Sequence, residues 1–106
     1  MRVLETELLK RFARTCHEGW KQGWHERNGG NMSYRMKKEE VELCREDFHE
    51  PEQWSPIGTC AANLAGEYFM VTGSGKYFQN ILEYPEQMVC ILEINETGDF
   101  TGFHWN

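Results

Sequence analysis

The strongest constraint on the fold is an apolar stripe in the first 24 residues. Leu4, Leu8, Phe12, Cys16, Trp20 and Trp24 recur every four positions, and Leu9 and Ala13 widen the stripe. Glu5, Lys10, Arg11, Arg14, Glu18 and Lys21 occupy the other face. Such a helix must bury one side against another layer. Gly19 and Gly23 weaken its end, and Asn28-Gly29-Gly30 stops it.

Beyond that turn the pattern changes to short strands. Met32 to Met36 is one, and Lys37 to Arg45 holds a helical turn or two. Glu46 to Gly66 reads as a long loop carrying Pro51, Pro56 and Gly58, anchored by Phe48, Trp54 and Ile57. Glu67 to Thr72, Gln87 to Asn95 and Phe100 to Trp105 are further strands, the last two joined by a hairpin turn at Glu96-Thr97-Gly98-Asp99. A helix followed by such strands predicts an α/β or α+β layer, with residues 1–106 forming one domain or part of one. The sequence closes on Phe103-His104-Trp105-Asn106, inside what reads as an unpaired aromatic strand. Exposure of Phe103 and Trp105 there would favour self-association.

With 40% hydrophobic and 13% aromatic residues the chain is expected to fold rather than stay disordered. Its net charge of −6 argues against nucleic acid or a membrane surface as partner, because both are anionic. No apolar run approaches the roughly 20 residues of a membrane span, and the N-terminus lacks a signal-peptide core. A cytoplasmic location is expected. Cys16, Cys44, Cys60 and Cys90 are widely scattered, and reduced thiols are expected there.

Two glycine segments carry the chemistry. Arg27-Asn28-Gly29-Gly30-Asn31 and Thr72-Gly73-Ser74-Gly75-Lys76 each join glycines, which admit close backbone approach, to amide or hydroxyl donors. The second is no nucleotide P-loop: Met70 stands where the first glycine belongs and Tyr77 where the magnesium hydroxyl belongs. Phe78 breaks the dinucleotide fingerprint. Taken singly, one segment also reads as a helix C-cap and the other as a hairpin tip. Together they suggest one phosphate gripped from two sides. His17, His25, His49 and His104 form no HxH, HExxH or HxxxH pair, and no Asp/Glu/His cluster or nucleophile set is visible. Glu39-Glu40 and Glu50 to Glu52 read as solvated faces.

In order and wording, the two segments resemble class II ketose-1-phosphate aldolases of the aldolase/adducin family. The closest likeness is to the rhamnulose-phosphate branch. It rests on Gly23-Trp24-His25-Glu26-Arg27-Asn28-Gly29-Gly30-Asn31, Met32-Ser33-Tyr34-Arg35 and Phe69-Met70-Val71-Thr72-Gly73-Ser74-Gly75-Lys76-Tyr77-Phe78. The resemblance implies α/β/α layers around a mostly antiparallel sheet, incomplete in this chain. It also implies a cytoplasmic homotetramer and a zinc-dependent lyase acting on a phosphorylated sugar.

Carried onto this sequence, Asn28 and Asn31 are amide ligands to substrate oxygens. Ser74 and Gly75 donate to the phosphate, while Gly30 and Gly73 permit its approach. The family's acid/base glutamate, in a Thr-Ser-Glu segment, and its three zinc histidines have no counterpart among these residues. The chain is therefore expected to be an N-terminal, phosphate-gripping part of such an aldolase, holding no metal and inactive alone. The alternative from another class is a self-standing, non-catalytic module that binds phosphate esters or a protein. An unrelated small α+β domain with two polar turns is a third reading.

Overall fold

The computed structural model describes residues 2–21, 32–72, 82 and 85–105. The first helix, α1 (Glu7–Lys21), starts after a short 3-10 turn over Val3–Glu5. Thr6 explains the start. Its hydroxyl oxygen accepts from the Leu9 amide at 3.2 Å and donates to the Val3 carbonyl at 2.8 Å, so one side chain satisfies a helix-end amide. The Val3 amide in turn donates to Oδ2 of Asp47 at 2.9 Å. A second helix, α2 (Lys38–Cys44), begins where Glu40 accepts from the Lys37 amide at 2.8 Å.

Five antiparallel strands follow the order β1 (Ser33–Arg35), β3 (Tyr68–Thr72), β4 (Val89–Ile94), β5 (Phe100–Trp105) and β2 (Ser55–Pro56). The strands read from the sequence are present within a residue or two. β2 lies inside the segment read as loop, and its pairing with Phe100 and Thr101 corrects that reading. Two residues containing a proline give too short a pattern to register as a strand. At the β4–β5 turn, Oδ1 of Asn95 accepts from the amides of Gly98, Asp99 and Phe100 at 2.9, 3.1 and 3.2 Å. Gly98 adopts φ +82°, and a Cβ there would stand 2.7 Å from the Ala61 backbone.

One face of the sheet makes the core. Leu8, Leu9, Phe12, Ala13 and Cys16 from α1 and Val41 and Cys44 from α2 meet Met70, Val89, Ile91 and Trp105 in a single buried cluster. Phe48 packs against it, as expected of a loop anchor. The strand-paired row Phe69, Leu92 and Phe103 lies on the other face; Phe69 and Leu92 are half-buried and Phe103 is 44% exposed. Both described helices therefore serve one side of the sheet, so among the described residues the α/β arrangement has one layer filled.

The expected unpaired final strand is corrected. β5 pairs with β4 along one side and with β2 on the other. The register shifts between Ile91 and Leu92 of β4, which lie opposite Trp105 and Phe103, so the bulge is on β5, which carries one extra residue, His104. An inserted residue breaks strict alternation. Consecutive His104 and Trp105 are accordingly both buried, each 8% exposed, while Phe103 faces out.

Candidate functional site

The two glycine segments leave the described structure at one point. Met32 follows Asn31, and Thr72 precedes Gly73. The Thr72 amide donates to the Met32 carbonyl at 3.0 Å. In return the Met32 amide donates to the Thr72 hydroxyl at 3.0 Å, and that hydroxyl lies 3.4 Å from the Met32 carbonyl. Thr72 is 7% exposed, so its hydroxyl supplies a bond that water does not readily replace. Antiparallel pairing of Ser33 with Val71 continues the ladder inward. The six expected phosphate and substrate residues, Asn28, Gly30, Asn31, Gly73, Ser74 and Gly75, lie outside the described residues.

Beside this end of the sheet, Leu8, Arg11, Phe12, Thr15, Met32, Ser33 and Tyr34 line an open groove of about 300 Å³. Arg11 brings a cation there in a chain of net charge −6. The Tyr34 hydroxyl donates to Oε1 of Glu40 at 2.8 Å, and that bond raises the phenol above its usual ionisation range.

Sequence reasoning missed a second polar centre. Nε2 of His104 lies 2.6 Å from Oε1 of Glu93, and Nδ1 lies 3.0 Å from the His49 carbonyl. Rings of Tyr68, Phe48 and Trp54 surround the imidazole at centroid distances of 5.3, 5.5 and 6.3 Å. The signal was present: Glu93 opposes Gly102 across the hairpin, and His104 stands two residues further on the same face. Of the other histidines, His17 is half-buried and His49 exposed, while His25 lies outside the described residues.

Among the described residues no three His, Cys, Asp or Glu side chains converge as a metal site requires. None of the helices described is long and apolar enough to cross a membrane. No disulfide links the four cysteines.

No protein-family model matches the chain. It is similar to the rhamnulose-1-phosphate aldolases of Yersinia pseudotuberculosis and Yersinia pestis, each 35% identical over 103 residues. The match takes in 97% of this chain and 38% of those proteins, so the chain spans well under half the length of these curated relatives. Among solved structures, the sugar-phosphate aldolase from Thermotoga maritima superposes with a TM-score of 0.67 at 20% identity, over 94% of this chain and 40% of that one. At that identity the likeness concerns the fold, and it is the same incomplete α/β layer.

Proposed function

From a chain that is 35% identical along 97% of its length to rhamnulose-1-phosphate aldolases and spans 38% of theirs, we propose that it supplies the phosphate-gripping part of such an aldolase. The full reaction would cleave L-rhamnulose 1-phosphate to dihydroxyacetone phosphate and L-lactaldehyde. In this reading Asn28 and Asn31 offer amides to substrate oxygens, and Ser74 and Gly75 donate to the phosphate. Gly30 and Gly73 keep side chains out of its way.

The observation that supports the reading is the joint between Met32 and Thr72. It ties together the two points at which the glycine segments join the sheet, as a ligand held between them requires. The −6 charge makes a local set of backbone and amide donors the natural anion seat.

Zinc belongs to the family's reaction as the resemblance implies it. The described residues do not fit it, because no sufficient cluster of ligands converges. The proposal gives this chain no metal and no acid/base step. A cytoplasmic, homotetrameric setting and a place in rhamnose breakdown complete it.

Isothermal titration with dihydroxyacetone phosphate tests the grip. Asn31→Ala and Ser74→Ala are each expected to weaken binding about tenfold or more. Equal affinity in wild type and both variants would overturn it. In a coupled assay with zinc added, the chain alone is expected to show no cleavage; zinc-dependent turnover above blank would refute that part.

One observation favours the second reading, a self-standing module for phosphate esters or a protein. β5 pairs with β4 on one side, β2 covers the other at Phe100 and Thr101, and Trp105 is buried, which is how a sheet protects an edge. The mass of the native product in its source cells separates the two. A band at 12.5 kDa supports the module, and one more than twice as heavy supports the aldolase.

A further inference from the structure

The two edges of the sheet end differently. β2, at one edge, holds Pro56, which has no amide to offer another strand. β1, at the opposite edge, has no such guard. The Thr72 amide donates to the Met32 carbonyl and the Met36 amide to the Tyr68 carbonyl, with Tyr34 opposite Met70 between them. Antiparallel ladders alternate, so Met32, Tyr34 and Met36 turn their main-chain groups toward β3 while Ser33 and Arg35 turn theirs outward. Ser33 and Arg35 are exposed. Among the described residues nothing bonds the amides and carbonyls that they point away from the sheet.

That open edge runs beside the groove between α1 and β1, where Leu8, Phe12 and Met32 give apolar walls and Arg11 brings a cation. We infer that edge and groove together form a peptide-binding site. An extended segment of another protein adds to β1 as a further strand, and an acidic side chain on it reaches Arg11. Ser33 and Arg35 each offer one donor and one acceptor, which a strand running alongside meets with its own. Alternate side chains of a strand share a face. The one opposite Tyr34 turns, as Tyr34 does, toward the helix side and into a space of about 300 Å³. Side chains two positions away lie on that same face, within the span of the groove that Arg11 lines.

The chemistry selects the occupant. Main-chain donors and acceptors spaced along an edge are matched by another backbone, not by a compact metabolite. The apolar walls call for an aliphatic side chain. Arg11 has no ion pair among the described residues, whereas Arg35 is held by Glu67 at 3.0 Å. The Glu40 carboxylate is already engaged, accepting from the Tyr34 hydroxyl and the Lys37 amide at 2.8 Å each. Arg11 is thus a local cation left open to a carboxylate in a chain of net charge −6. A second copy of the chain fits worse. Two β1 edges paired about a two-fold axis at Tyr34 would bring two Arg11 guanidiniums to one seam, where like charges repel. At three residues β1 is too short to recruit strands by backbone alone, so the groove and Arg11 decide which peptide binds.

Fluorescence anisotropy of the intact chain with a dye-labelled Thr-Asp-Thr-Leu-Thr-Asp-Thr peptide tests the site. The peptide reads the same in both directions, so strand polarity does not matter, and it sets Leu and both Asp on one face. Saturable binding is expected. Methylating the three central main-chain nitrogens of the peptide should weaken it about tenfold or more, since those amides face the Ser33 and Arg35 carbonyls. Arg11→Gln should weaken the Asp peptide about tenfold and leave a peptide with Asn in place of both Asp unchanged. Absence of saturable binding would overturn the site, as would binding indifferent to N-methylation or to Arg11→Gln. Sedimentation at the same concentrations reads the rival occupant: a dimer that the peptide takes apart would assign the edge to a second copy and overturn the proposal. The N-methylated and Asn peptides decide the matter on the unaltered chain, so nothing hangs on whether the variant folds. All measurements are made without phosphate, and their outcome is independent of the reading of the glycine segments.

Discussion

Thr72 holds Met32 from two directions, through its main-chain amide and through a buried hydroxyl that accepts the Met32 amide. Both bonds fall on the described residues that border the glycine segments, Met32 after one and Thr72 before the other. Replacing Thr72 by Val keeps the shape and leaves the Met32 amide without that oxygen. The expected cost is about 1–2 kcal/mol of stability, measured by urea unfolding, with Thr72→Ser nearer wild type. In the proposed role, Thr72→Val also weakens phosphate binding.

The glycines at positive φ are not equivalent. Gly58 and Gly66 have φ of +95° and +80° with open space where a Cβ would go. Alanine at either should cost about 1–2 kcal/mol from backbone conformation alone. Gly98 adds a 2.7 Å collision with the Ala61–Ala62 backbone, so Gly98→Ala should cost more than both, about 2–4 kcal/mol. Thermal or urea unfolding of the three variants checks the order.

At the start of α1, Thr6→Ala removes the acceptor for the Leu9 amide. Loss of about 1 kcal/mol is expected. Circular dichroism during urea titration should show the same unfolding slope and a lower midpoint, since the surface exposed on unfolding is unchanged.

The thiols should sort by burial. Cys60 is exposed, whereas Cys16 and Cys44 are fully buried. At pH 8 an alkylating reagent should modify Cys60 first, and Cys16 only on unfolding; mass spectrometry of peptides reads the order. Burial pushes the Cys16 thiol from 9.0 up to about 12. The unfolded chain loses this proton near the ordinary value while the native chain keeps it. Stability is therefore whole below about pH 9 and declines from there toward 12.

Much of the fold was legible because periodicity is local. The four-residue spacing of Leu8, Phe12 and Cys16 marks α1, and the apolar runs mark β3 and β4. Trp105 was not legible. Its burial depends on the bulge opposite Ile91, which is a matter of register between strands. β2 went unread because two residues carry no pattern. Glu93 and His104 looked unrelated because they lie 11 residues apart on different strands. For the glycine segments, composition pointed to an anion seat, and the strand pairing of Met32 and Thr72 supplies the shared anchor that composition cannot.

That anchor joins residues 40 apart, whereas β4 and β5 are linked by a tight turn at Asn95 to Asp99. Closing the longer loop costs more entropy before any contact rewards it. The hairpin is therefore expected to zip first and the Met32–Thr72 joint late, making the end of the sheet proposed to face the ligand among the last parts assembled. A ligand that engages only the finished joint would leave the refolding rate nearly unchanged and slow unfolding instead. Phosphate would then act on this chain as a brake on coming apart.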